Sequence, residues 1–487
     1  MAVNPLKKLA GETLIYGLGT IVPRLLNYLL VPFYTIFVFN KSQYGEITEL
    51  YAYVALLMVL LTYGMETAFF RYANLYKNQV KKVFNTASSS LLITSLLFVL
   101  VVVFNRTTIA QWIHYGGHSQ YIVLISLIVA LDAFTSLPFA YLRLMNKAGL
   151  FSFIRVVNVV VNIGLNIVFL ILIPRSLGSN YPSHILYRSI PLVGWVFISN
   201  LVASFSTLLM LWPVLKSFRI SIDKAILIKL LLYGLPILLI GFAGMINEVS
   251  DKILLRYLLP ANVDARAVIG VYGANYKLAI LMMLFIQMFR YAAEPFFFAE
   301  HRKSDSKKTY ARVMTVFTAF SWFIFLMVTL YIDGFKYFIG KSFWAGLQIV
   351  PIVLSAKLFL GLFYNLSVWY KLTNKTLYGG LIALAGAFIT IGMNVLLIPR
   401  YGYVGSAWAN FSAYLSMLIL SYFWGRKIFP VPYDIKKIVF LSVLAASLYF
   451  IHRFIPHMMI QWEFVVSSLF LLVYTFIAWV TIRKELK

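Results

Sequence analysis

Long apolar segments, most of them twenty residues or more, recur along almost the whole chain. A membrane-crossing helix needs about 20 such residues, whereas a membrane barrel strand needs only ~9–11 in alternation. These runs are too long for strands and do not alternate. They therefore predict helical spans at 11–38, 46–72, 84–104, 121–142, 148–173, 190–215, 228–255, 267–292, 311–332, 347–370, 377–398, 404–425, 437–455 and 463–482, numbered 1 to 14 below. Composition agrees: 61% of the 487 residues are hydrophobic and 12% charged, with a mean hydropathy of +0.85. Soluble domains average about 45–50% apolar and about 25% charged residues. No polar stretch is long enough for a soluble domain, which excludes most soluble enzymes and any large extramembrane catalytic module. The predicted fold class is an all-α polytopic membrane protein of about fourteen transmembrane helices.

The 42 Lys and Arg against 16 Asp and Glu give a net charge of +26. In a soluble protein this would point to nucleic acid. In a membrane protein, basic residues collect in cytoplasmic connections. With the N-terminus inside, those connections hold more than twice as many Lys and Arg as the opposite ones. Both termini are thus expected in the cytoplasm, and the chain in a bacterial cell inner membrane. The first apolar segment is too long for a secretory signal and reads as a retained span. The opposite loops are short, the longest running from Pro174 to about Ser189. There is no cysteine, hence no disulfide, thiolate nucleophile or Cys metal site. The six histidines (His114, His118, His184, His301, His452 and His457) fall in predicted loops. Gly116-Gly117 between His114 and His118 argues against a helical metal pair.

An internal repeat is the most informative pattern. Tyr44-Gly45 recurs 228 residues on as Tyr272-Gly273. The same interval relates Glu66 and Phe69-Phe70 to Glu294 and Phe297-Phe298, and Asn146-Lys147 to Asn374-Lys375. It also relates Ile163-Gly164 and Asn166 to Ile391-Gly392 and Asn394. Tyr16-Gly17-Leu18 matches Tyr233-Gly234-Leu235 at a slightly shorter interval. Spans 1–6 therefore pair with spans 7–12. Six is even, so both copies enter from one side, a parallel repeat about an axis along the membrane normal. The expected organisation is a six-helix lobe at 1–216, a second at 217–427, and two additional helices at 428–487.

With these features the chain resembles the oligosaccharide-lipid flippases, often described as polysaccharide biosynthesis proteins, of the multidrug/oligosaccharidyl-lipid/polysaccharide exporter superfamily. The resemblance covers essentially the whole chain. It rests on two six-helix lobes plus two helices, on an opening span that ends in a short Tyr-Gly loop, Gln43-Tyr44-Gly45, and on Gly64-Met65-Glu66 with Phe70-Arg71-Tyr72 closing span 2. Ala293-Glu294-Pro295-Phe296-Phe297 closes span 8 in the same way. What the resemblance implies is a V-shaped pair of lobes with a central cavity, working by alternating access.

Ionisable residues inside spans are costly and usually face a cavity or a partner. Several have a local explanation. Arg290 with Glu294, and Glu248 with Lys252, are spaced i,i+4, the helical ion-pair distance, and Arg71 can snorkel from its span end. Arg24, Arg155, Lys277 and Lys357 have no acid at i±3 or i±4. Arg24, Lys277 and Lys357 lie near the middle of spans 1, 8 and 10, and Arg155 two turns inside span 5. Either they pair across helices or they await an anionic ligand; the second reading is favoured, with all four as substrate-binding cations. Arg155, Asn158, Asn162 and Asn166 make one polar stripe on span 5. Span 1 presents Thr20, Arg24, Asn27 and Tyr28 on one face, and span 7 presents Asn247 and Asp251. Asn27, Asn158, Asn162, Asn166 and Asn247 are the expected polar lining of a cavity. The competing reading of the amides is interhelical hydrogen bonding. Asp132, Glu66 and Asp251 are candidates for ion coupling, since buried carboxylates can change charge on exposure.

Other motifs are missing. Gly17-Leu18-Gly19 lacks the third glycine of a dinucleotide fingerprint, and no Walker loop is present, so no cofactor is expected. The reading is a non-enzymatic flippase for a polyprenyl-diphosphate-linked oligosaccharide, moved from the cytoplasmic to the outer leaflet for O-antigen or lipopolysaccharide-type surface polysaccharide. Expected partners are that glycan lipid, membrane lipid and polysaccharide polymerase machinery, without nucleic acid. Spans 13 and 14 could form a groove for the lipid tail. The alternatives are a lipid II flippase, a multidrug or cation exporter and, from another class, a membrane glycan polymerase or ligase, which the short outer loops disfavour.

Overall fold

The computed structural model describes residues 19, 21–178, 184–301, 305–455 and 460–483. Tyr16-Gly17-Leu18, Thr20 and His457 lie outside them. Among the described residues the chain is helical, with no strand. Thirteen helices among these residues are long and apolar enough to cross a membrane. One of them, Thr376–Ile428, is 53 residues long, and its backbone leaves helical geometry at Gly402 (φ 56°, ψ −135°). At 1.5 Å per residue it is far longer than a ~30 Å hydrocarbon core. It is therefore long enough for two crossings, spans 11 and 12, which makes fourteen membrane-length segments among the described residues. Histidine 452, expected in a loop, belongs to the helix Ile435–Phe454.

Two spans differ from their predicted shape. Span 2 is broken where Tyr63 and Gly64 adopt positive φ (33° and 72°), so that helix Lys41–Thr62 gives way to helix Met65–Leu75. A side chain on Gly64 would strike the Gly234 carbonyl oxygen at 2.3 Å. Only glycine tolerates both that φ and that approach. Span 8 is also two helices, Ala265–Lys277 and Ile280–Glu300, joined by a tight turn at Leu278-Ala279. No Gly or Pro marks this break in the sequence.

The helices pack into two compact units. The first comprises the chain up to Tyr34 and Glu46–Met245; the second comprises Thr35–Gly45 and Ile246–Lys487. The long helix Lys224–Leu258 thus begins in one unit and ends in the other. The core of the first unit gathers Met65, Phe69, Phe84, Leu137, Ile154 and Leu230. Its last connection, residues 219–223, lies along helix Val80–Phe104. The backbone N–H groups of Arg219, Ser221 and Asp223 donate in turn to Asn85, Ser89 and Thr86 side chains.

In the second unit, spans 13 and 14 (Ile435–Phe454 and Ile460–Ile482) pack on span 9, Ser306–Leu330. Trp322 Nε1 donates to Ser442 at 2.9 Å and the Tyr474 hydroxyl to the Ala319 carbonyl at 3.0 Å. The segment Thr35–Gly45 is seated in this unit as well. Gly340 N–H donates to Thr35 Oγ1, Tyr44 meets Phe343 edge-on, and Ser42 Oγ donates to Asp264 at 2.5 Å. Backbones nearly touch where Gly45 faces the Arg266 carbonyl and Gly270 faces that of Lys41.

The repeat is visible in detail. Glu66 bridges Arg143 in the first unit and Glu294 bridges Lys371 in the second, each across a separation of 77 residues. Asn146 and Asn374 both turn the chain through positive φ, 54° and 56°. Asn166 and Asn394 each donate to the carbonyl four residues back, at 2.8 and 2.7 Å.

Candidate functional site

The four cations singled out above divide into two kinds. In the first unit, Arg24 and Arg155 are both exposed on their helices, and Arg24 and Asp132 are close enough to act electrostatically on Arg155. Gly19 lets span 1 approach span 5 closely, since a side chain there would collide with Ser152. The Arg155 guanidinium lies over the Phe139 ring at 4.3 Å, with Phe151 at 5.7 Å. The side chain remains accessible. A cation held on an aromatic face keeps its N–H donors pointing outward. Asp132 is held by Ser204, and Glu66 is engaged by Arg143. Asn27 is exposed one turn from Arg24.

The span 5 amides are mostly occupied by neighbouring helices. Asn158 Nδ2 donates to Thr207 Oγ1 at 2.9 Å. Asn166 is fully buried; it accepts from the Tyr34 hydroxyl at 2.7 Å and donates to Asn162. Of the stripe, Arg155 is accessible and Asn166 is not. In the second unit Asn247 is likewise buried, accepting from Thr390 at 2.7 Å and donating to the Ala383 carbonyl. Asn166 and Asn247 are therefore interhelical ties here, a correction to their expected place on a cavity wall. Each side chain found protein partners that a single helix cannot reveal.

In the second unit Lys357 is 1% exposed, and its ammonium contacts both oxygens of Glu248, at 2.8 and 2.6 Å. Glu248 also accepts from the Tyr414 and Tyr276 hydroxyls. The expected Glu248–Lys252 pair is not formed. Lys252 instead contacts Asp251 Oδ1 at 2.9 Å and the Glu248 backbone carbonyl. Asp251 is also held by the Tyr272 hydroxyl at 2.5 Å and Asn410 Nδ2 at 2.7 Å. The Arg290–Glu294 pair is likewise replaced: Glu294 takes Lys371, and Arg290 lies over the Tyr364 ring at 4.2 Å. Arg71 covers the Tyr233 ring at 4.3 Å. Lys277 ends the helix Ala265–Lys277, where carbonyl dipoles favour a cation. It is exposed, at the edge of the cluster formed by Lys252, Glu248 and Lys357. Sequence reasoning missed Tyr272, Tyr276, Asn410 and Tyr414 as members of this network. The i,i+4 spacing of Asn410 and Tyr414 on span 12 was the available signal.

A repeated set of membrane-length helices with charged groups along them defines a multi-pass membrane-protein fold. Solved structures with this fold include a lipid II flippase MurJ in an inward closed conformation (TM-score 0.67, 14% identity, covering 97% of this chain and 100% of that one). They also include an inward-facing multidrug resistance MATE family transporter (TM-score 0.61, 13% identity, covering 85% and 94%). No curated protein matches the chain in sequence. The model of the polysaccharide biosynthesis protein family matches residues 9–301, more than half of the chain. The chain belongs to that family.

Proposed function

We propose that this transporter is a flippase for a polyprenyl-diphosphate-linked oligosaccharide, carrying it from the cytoplasmic to the outer leaflet of the inner membrane by alternating access. No bond is made or broken. The observation that supports this reading best is the accessible pair Arg24 and Arg155 on spans 1 and 5 of the first unit. A guanidinium facing lipid there would be strongly unfavourable. Facing a cavity, its fork matches phosphate oxygens. A diphosphate entering the cavity loses much of its hydration, and opposing charge at short range offsets that loss. Lys357 belongs to the framework, because Glu248 already neutralises it. Asp132 and Asp251 remain the carboxylates through which proton coupling would act, and Glu66 is assigned to its bridge with Arg143.

The test is complementation of a strain lacking its surface-glycan flippase, with protein level monitored. Each charge-assisted contact is worth ~1.5–3 kcal/mol. Arg24→Ala and Arg155→Ala should each therefore reduce flipping by roughly tenfold to a hundredfold while the protein still inserts. Arg155→Lys should restore part of it, since charge returns without the fork. Full activity in the Arg24→Ala/Arg155→Ala double variant would remove the diphosphate reading. Rescue of a strain depleted of its lipid II flippase would instead assign the cargo as lipid II, which the fold likeness to that flippase makes the second reading.

A further inference from the structure

Asp132 and Phe139 lie seven residues apart on span 4, helix Ser119–Leu144. That interval brings a helix back to almost the same face. One face of span 4 therefore offers Arg155 two seats, a carboxylate and, two turns further on, a ring. The guanidinium takes the ring, at 4.3 Å. We infer that Phe139 is a positioning residue: its ring keeps the Arg155 guanidinium off Asp132 and so keeps it available to an anion. Only the identity of that anion, the cargo's diphosphate, rests on the transport reading.

The charged groups acting on Arg155 are Asp132, Glu66, Arg143 and Arg24. The two arginines repel it, and Glu66 is spent on its bridge with Arg143. Asp132 is the remaining acid. It is hydrogen-bonded by Ser204 and reaches Arg155 only through space. A carboxylate and a guanidinium form a two-pronged pair where they can meet, so keeping them apart takes a competing seat. The rings supply it. Phe139 and Phe151 are 5% and 6% exposed and meet edge to face, their centroids 5.4 Å apart. Phe151, one turn before Arg155 on span 5, lies 5.7 Å from the guanidinium. A cation over such a face is attracted without being neutralised. The charge of Arg155 thus stays unspent and its N–H donors uncovered. A pair with Asp132 would cancel the one and cover the other. Leucine at 139 would fill much of the same space yet offer no aromatic face.

Dicarbonyl labelling of the purified full-length protein, with Arg155 read by peptide mass spectrometry, tests this without any cargo. The reagent bridges two guanidinium nitrogens, the edge that a carboxylate pair covers. Arg155 should label alike in the wild type and in Phe139→Tyr, and about fivefold less in Phe139→Leu. Phe139→Leu/Asp132→Asn should return it to within about twofold of the wild type. Unchanged labelling in Phe139→Leu would overturn the inference. So would a fall that Asp132→Asn does not restore, which is what a packing defect gives. Binding of a prenyl diphosphate to the same proteins forms the second arm. It should weaken roughly tenfold in Arg155→Ala and about fivefold in Phe139→Leu, and recover in Phe139→Leu/Asp132→Asn. If labelling follows this order while wild type and Arg155→Ala bind the prenyl diphosphate equally, the positioning role stands and the diphosphate reading falls. If Arg155→Ala loses binding while Phe139→Leu keeps both binding and labelling, the diphosphate reading stands and the positioning role falls.

Discussion

A lysine ammonium closed off from solvent is tolerable only beside a carboxylate, and Lys357 sits between both oxygens of Glu248. Removing one member of such a pair strands the other, at about 3–5 kcal/mol for a fully buried pair. Glu248 is about a third exposed (32%), so the low end of that range, about 3 kcal/mol, applies. Lys357→Met alone should therefore lower the melting temperature of the purified protein clearly. Adding Glu248→Leu should restore part of the loss, short of the whole because Tyr276 and Tyr414 also use the carboxylate. If Lys357 were instead a cargo-binding cation, Lys357→Met would abolish flipping with the melting temperature unchanged. Sequence letters could not make this distinction. Lys357 and Arg155 both lack an acid one turn away, yet the acid that pairs Lys357 comes from another helix, 109 residues earlier. Arg155 has aromatic rings beneath it instead. The i,i+4 rule named Lys252 for Glu248 because it weighs only one helix. The bundle offers Glu248 a more deeply buried cation.

At the scale of elements, breaks matter as much as spans. The Gly64 break was marked by a glycine, and its strained φ and close approach explain why. The break at Leu278-Ala279 has no such marker, so Lys277 was placed in mid-span although it ends a helix. Lengths, order and the repeat were all legible, because apolar runs and recurring Tyr-Gly and Glu-x-x-Phe-Phe signals need no tertiary information. The stretch 219–223 shows a connection made specific by side chains of another helix. Asp223 caps the helix that follows, accepting from Ile226 N–H, and pairs with Lys82 at 2.6 Å. That lysine, with the backbone N–H, holds the Asp223 carboxyl below its ordinary range. A depressed carboxylate stabilises the folded form above its unfolded pKa of about 3.9, and the contribution is lost as pH falls through the folded value. Hydrogen exchange of amides 219–227, corrected for intrinsic rates, should thus be flat from about pH 8 to pH 5 and rise in acid. Asp223→Asn should exchange faster at neutral pH and lose the acid response.

At the scale of the whole molecule, the basic connections predict which side faces the cytoplasm, and a chain without cysteine is a clean background for checking it. Ser342 and Ser217 are both exposed on connecting segments. A single cysteine at Ser342 should react with a membrane-impermeant maleimide in intact cells, and one at Ser217 only after lysis. The reverse pattern would invert the topology. Composition and loop charge carried that expectation unaided, as hydropathy and positive charge act through the bilayer rather than through any particular contact. The all-helical, multi-span fold was legible on the same grounds. The cargo was not, because the side chains that would grip it are scattered over several helices.

The segment Thr35–Gly45 has a consequence for how the protein is made. Those residues leave the ribosome early, yet their seats, against Asp264, Gly270, Gly340 and Phe343, are synthesised hundreds of residues later. Until then Thr35 and Ser42 have none of these hydrogen bonds, and Gly45 has no backbone against which to close. The second unit is therefore unfinished by its own stretch of chain. Biogenesis has to keep the first hairpin available while the rest is inserted, and the two halves mature together rather than one after the other.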